Sequence, residues 1–182
     1  FHYDQMVSDL DNDGLQDLIL LGADIYGRLS LRMYEYNNGH SEKTFEYVDE
    51  EVFSGSGMMM SMQDVDSDGE DELIVARPQT SSTLFYVYDG YELISQFSAP
   101  IRVTNIPEFL EAPIRNSIVV IAEEDSEMHL YELSPSSGQV VWQSGALEGD
   151  ADYLNFFSLR LGPDQYKSVL SSEGEISLYQ TH

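Results

Sequence analysis

Asp9, Asp11, Asp13 and Asp17 fall within nine positions in "DLDNDGLQD" (9–17). Four carboxylates that close repel one another, so the segment calls for a cation. A second copy, "DVDSDGEDE" (64–72), places Asp64, Asp66 and Asp68 on Asp9, Asp11 and Asp13, Gly69 on Gly14, and Glu72 on Asp17. The offset is 55 residues, from Asp9 to Asp64. Both copies read D-x-D-x-D-G-x-x-[DE]-L-I. One such string is compatible with an accidental acidic turn; two in the same context argue for a shared role.

The cation that this pattern suits is Ca²⁺, which takes six to eight oxygen ligands. In a tight loop alternate side chains turn inward, so D-x-D-x-D supplies three carboxylates. Gly14 and Gly69 let the backbone take a positive φ that a Cβ penalises. Leu15 and Glu70 can offer carbonyl oxygens, and Asp17 and Glu72 can close the shell. Zinc and copper prefer His or Cys, and neither loop contains either. Magnesium keeps more of its water. An EF-hand requires Glu at position twelve between helices, and a dockerin-type loop requires Asp there; the residues at that position are Leu20 and Val75, inside strand-like runs. The expectation is two Ca²⁺ sites.

The elements that hold these loops repeat as well. Apolar runs follow at "LILLG" (18–22), "LIVAR" (73–77), "IVVIA" (118–122) and "SVLSS" (168–172), spaced 55, 45 and 50 residues apart. After each comes an apolar residue, a tyrosine and a polar residue, with Tyr34, Tyr88, Tyr131 and Tyr179 spaced 54, 43 and 48 apart. In the first unit the alternation predicts strands over 3–8, 18–22, 29–36 and 44–53. Turn chemistry sits at "NNGH" (37–40), "YDGY" (88–91) and "SPSSGQ" (134–139). No amphipathic helix of ten residues is apparent. "IPEFLEAPIRNS" has room for one helical turn before its prolines interrupt it.

Four strands per unit of about 40–50 residues indicate an all-β fold, a β-propeller of four-stranded antiparallel blades with about four repeat units. The approximate blades are 1–54, 55–99, 100–147 and 148–182, the last one strand short. The first unit opens on its inner strand and the last lacks its outer one. This suggests a part of a larger propeller whose closing strand would precede Phe1; a four-bladed ring with one short blade is the alternative.

Composition narrows the partners. Only 8 Lys and Arg stand against 33 Asp and Glu, for a net charge of −25. Such a polyanion repels nucleic acid and anionic membranes and suits cations or basic partners. There is no cysteine, which removes disulfides and thiol chemistry. No apolar run approaches the ~20 residues of a membrane span.

"DLDNDGLQDLILLG" (9–22) and "DVDSDGEDELIVAR" (64–77) resemble the FG-GAP/VCBS family of β-propeller repeats, found in the integrin α-subunit head and in bacterial surface and secreted proteins. The resemblance implies a loop between two strands of one blade that binds Ca²⁺. By position its ligands are Asp9, Asp11, Asp13 and Asp17, and Asp64, Asp66, Asp68 and Glu72, with carbonyls from Leu15 and Glu70. Glu72 departs from the more usual Asp. The resemblance allows a seven-bladed ring. It covers two of the four units: "EAPIRNS" (111–117) and "GPDQYKS" (162–168) hold the corresponding places without the aspartates and are expected to bind no calcium. "SSGQVVWQS" (136–144) is weakly similar to the Gly-then-Trp hairpin of quinoprotein-type propellers, and Trp142 is expected to pack between blades.

Catalytic constellations are not evident. His2, His40, His129 and His182 are scattered, with His129 expected to face solvent, and no nucleophile elbow or phosphate-binding loop appears. "EYVDEE" (46–51), "EED" (123–125) and "EGDAD" (148–152) read as solvated charge that discourages edge-to-edge pairing. "MMMSM" (58–62) reads as adaptable packing on an inner strand. The expected function is a non-enzymatic, extracellular, cell-surface or periplasmic interaction or adhesion module. Its partners would be a protein or carbohydrate on a propeller face and further blades or another subunit, with no nucleic acid and no membrane insertion. The alternative is the scaffold of a secreted polysaccharide lyase or other carbohydrate-active enzyme.

Overall fold

The computed structural model describes residues 2–26, 28–37, 39–52, 57–66, 68–106, 117–147, 155–162, 165–172 and 175–180. Among them there are strands and turns and no helix. The first sheet contains β1 (His2–Ser8), β2 (Gln16–Ala23), β3 (Arg28–Asn37) and β4 (His40–Val52). The second contains β5 (Met59–Gln63), β6 (Glu72–Pro78), β7 (Thr83–Asp89) and β8 (Glu92–Ala99). The third contains β9 (Arg102–Asn105), β10 (Ile118–Glu124), β11 (Glu127–Leu133) and β12 (Val140–Gln143). A fourth has three strands, β13 (Asn155–Gly162), β14 (Gln165–Ser172) and β15 (Glu175–Gln180). Each sheet is an antiparallel meander in chain order.

The period-2 pattern explains the stacking. Strand β6 is buried along its whole length, which requires a partner on each face. Leu73 and Val75, with Tyr86 and Tyr88 of β7, pack against Ile19, Leu21, Leu29, Leu31 and Met33 of the first sheet. The alternate residues Ile74, Ala76, Phe85 and Val87 pack against Val103, Ile118, Val120, Tyr131 and Leu133 of the third. The second sheet is therefore a filled layer between its neighbours. Met58 and Met60 of "MMMSM" are buried in the core shared with the first sheet.

Polar ties fix the layers in register. The Gln63 side chain accepts from the Val119 amide at 3.0 Å and donates to the Val119 carbonyl at 3.2 Å. One buried side-chain amide thus pairs both backbone groups of Val119. Thr83 Oγ1 donates to the Ile101 carbonyl at 2.9 Å and accepts from the Val103 amide at 3.0 Å. The Asp4 carboxylate accepts from the Met60 amide at 3.3 Å, joining β1 to β5.

Two expectations are corrected. Trp142 is 42 % exposed, on an outer strand whose four residues are all exposed. Gly-then-Trp spacing alone therefore does not bury the ring. His129 is half-buried, its Nδ1 3.2 Å from the Ser144 carbonyl and its ring edge-on to Tyr131. "EED" (123–125) is exposed and borders a cleft of about 280 Å³ with Arg102 and Tyr131. The segments 107–116 and 148–154, which include most of "EAPIRNS" and all of "EGDAD", lie outside the described residues.

Candidate metal centre

The two acidic segments occupy equivalent places, one joining β1 to β2 and the other β5 to β6. Each follows an inner strand and is pinned by one apolar residue: Leu10 in the core between the first two sheets, and Val65 in the core between the second and third. The apolar runs that follow, β2 and β6, anchor the other end.

The internal wiring of the loops agrees bond for bond. In the first, the Leu10 amide donates to Asp17 Oδ2 (3.1 Å), Asp13 to Asp11 Oδ1 (3.3 Å), Gly14 to Asp9 Oδ2 (3.0 Å) and Leu15 to Asp13 Oδ1 (2.8 Å). In the second, Val65 donates to Glu72 Oε2 (2.6 Å), Asp68 to Asp66 Oδ1 (3.1 Å), Gly69 to Asp64 Oδ2 (3.2 Å) and Glu70 to Asp68 Oδ1 (2.8 Å). Every bond recurs 55 residues on. Gly14 and Gly69 lie at φ +89° and +96°, in the region where a side chain strains the backbone. Backbone N–H groups thus take one oxygen of each of these carboxylates.

What the second oxygens face differs between the loops. Oxygens of Asp9, Asp11 and Asp13 lie within 4.8 Å of one another, as do those of Asp64, Asp66 and Glu72. Asp17 and Asp68 are not in these triads as they stand. The chain's own cations do not neutralise the first loop: among the described residues Asp9, Asp11, Asp13 and Asp17 have no ion pair with Lys or Arg. Asp9 Oδ1 is buried without a hydrogen-bond partner, an arrangement that costs free energy unless a ligand fills it.

The carboxyl groups record this strain. Burial, with Asp11 and Asp13 adding to it, raises Asp17 against the opposing bonds from Leu10 and Tyr91. Burial pushes Glu72 up to about 7, with Asp66, Asp64 and Asp68 in the same direction and the Val65 amide opposing. Asp71 is raised by burial and then by Asp64. Across the first sheet Asp17 pairs with Glu35 and Glu35 with Glu42. Like charges placed opposite one another are unfavourable. Glu35, half-buried, is raised by desolvation and by the loop aspartates.

These residues fit a hard divalent cation. The donors are all carboxylate oxygens. All-oxygen sets of this kind suit Ca²⁺, whereas Mg²⁺ keeps more of its water. The orphaned oxygen belongs to Asp9, a member of the first triad. Asp9, Asp11 and Asp13 would hold it in the first loop, and Asp64, Asp66 and Glu72 in the second. Asp17, Asp68 and the Leu15 and Glu70 carbonyls are the further oxygens of the expected set.

Three further residues border the centre. The Tyr91 hydroxyl, from the β7–β8 turn, donates to Asp17 Oδ1 at 3.1 Å. Asn12 Nδ2 donates to Glu70 Oε2 at 2.9 Å, so the two loops touch. Glu35 adds charge at the rim. "YDGY" had marked a turn; nothing local to it signals a partner 74 residues away.

No curated protein matches this chain. Residues 9–75 match the FG-GAP-like repeat family, a stretch that runs from the first carboxylate of the first loop into β6. Over that stretch, with its twin loops and the sheets that carry them, the chain is similar to the FG-GAP-like repeats.

Proposed function

We propose that this chain is a calcium-binding part of a β-propeller that serves as an extracellular interaction or adhesion module, with its sheets as blades. The observation that carries the reading is the shared wiring of two loops 55 residues apart, each gathering three carboxylates within 4.8 Å. Ca²⁺ would neutralise clustered carboxylate charge in each loop and tie each inner strand to the next strand of its blade. The role is structural, so the ion stabilises the folded state by mass action. Extracellular calcium is plentiful enough to fill sites of modest affinity, which favours a location outside the cell, at its surface or in the periplasm. The propeller faces would then meet a protein or carbohydrate partner without turnover, and further blades or another subunit would complete the assembly.

Asp11→Ala tests the ligand assignment. It is expected to reduce bound Ca²⁺ from two ions per chain to one and to lower the melting temperature in calcium but not in chelator. Unchanged stoichiometry would refute it. The binding role predicts that acidic and neutral glycans keep their chain length on incubation with the protein; shortened chains would move the reading to a carbohydrate-active enzyme.

A further inference from the structure

Asp17 differs from its counterpart Glu72 in how firmly it is held. Oδ2 takes the Leu10 amide and Oδ1 takes the Tyr91 hydroxyl, so both oxygens are fixed. Among the described residues Glu72 is held by the Val65 amide alone, and it reaches into its triad where Asp17 does not. Tyr91 is itself braced. Its ring stacks on Phe45 of β4, with centroids 6.2 Å apart and planes 12° from parallel. The same turn runs against the loop, with a Cβ placed on Gly90 falling 3.8 Å from Asp11 Cβ. The second sheet thus reaches across to the first loop at two points.

We propose that Tyr91 is a positioning residue for the first cation site, so that this site is assembled by two sheets. The inference rests on the calcium reading of the first loop. By holding Asp17, Tyr91 fixes the carboxylate that locks the Leu10 amide and sets the loop's mouth for Asp9, Asp11 and Asp13. Partners that orient a metal site from outside typically change affinity by about 10–100-fold. The coupling is reciprocal: an ion in the first loop strengthens the docking of the second sheet on the first.

Calorimetric Ca²⁺ titrations of the whole chain test this in two backgrounds. One has the second loop disabled by Asp66→Ala with Asp68→Ala, the other the first loop by Asp11→Ala with Asp13→Ala. Tyr91→Phe keeps the ring on Phe45 and removes only the hydroxyl. It is expected to weaken binding about tenfold where the first loop alone remains and to leave it within twofold where the second alone remains. A tyrosine absorbance difference on calcium addition is expected in the first-loop background and lost with Tyr91→Phe. Equal affinities with and without the hydroxyl at the first loop overturn the proposal, and so do equal losses in both backgrounds, which would mark general loosening. If the first loop binds no Ca²⁺ even with Tyr91 present, the calcium reading of that loop falls and takes the proposal with it.

Discussion

Glu72 shows how much a single methylene changes an acidic loop. It is 2 % exposed, reaches into its triad, and titrates near 7 because burial disfavours its charged form. In the metal-free protein the raised value makes protonation stabilising. That contribution is full below the unfolded value of 4.5 and is lost as pH rises through about 7. Glu72→Gln is therefore expected to raise the melting temperature in chelator at pH 8 by about 2–4 °C and to abolish calcium binding at the second loop. Melts at pH 5 and pH 8 check the sign, since the gain should vanish at pH 5. For the native loop, Ca²⁺ must displace the proton, so its apparent affinity should fall by up to about tenfold per pH unit below 7. From the sequence, Asp17 and Glu72 read as equivalents because spacing alone was visible. Their difference comes from side-chain length and from Tyr91, a contact that no local pattern encodes.

The strands were the most legible elements. Alternation located those of the first sheet to within a few residues, because each buries one face against a neighbouring layer. The continuous run in β6 marked a strand buried on both faces. The expected exposure of His129 and burial of Trp142 failed for one reason: burial depends on what the next sheet or strand supplies, and a short sequence window does not contain it. Turns behave as their backbones require. Gly14 and Gly138 both have positive φ, but only Gly138 is crowded, with a Cβ there falling 2.5 Å from the Phe97 ring. Gly14→Ala is expected to cost about 1 kcal/mol of backbone strain. Gly138→Ala, which also displaces a ring of the core between the second and third sheets, is expected to cost about 2–3 kcal/mol. Denaturant melts should rank them in that order; equal costs would argue against the crowding.

At the scale of the molecule, three four-stranded layers are joined by apolar cores and a few polar ties. Gln63 carries one of these ties alone. Gln63→Ala should leave the buried Val119 amide and carbonyl unpaired and cost about 2–3 kcal/mol, lowering the denaturant midpoint; a loss under 0.5 kcal/mol would show that the layers do not depend on it. The acidic loops sit beside these layers and tie consecutive strands of a sheet together, so a bound ion should act on the whole stack. The repeats that place the loops were readable from spacing, whereas the contacts between layers, Gln63 to Val119 and Tyr91 to Asp17, were not, because each joins residues more than fifty positions apart. The central claim is that cations complete the two loops. Calcium titration into chelator-treated protein by calorimetry, with the melting temperature followed alongside, tests it most directly. The prediction is two ions per chain and a clear rise in melting temperature. No heat and no rise at millimolar Ca²⁺ would contradict it and leave the loops as acidic turns.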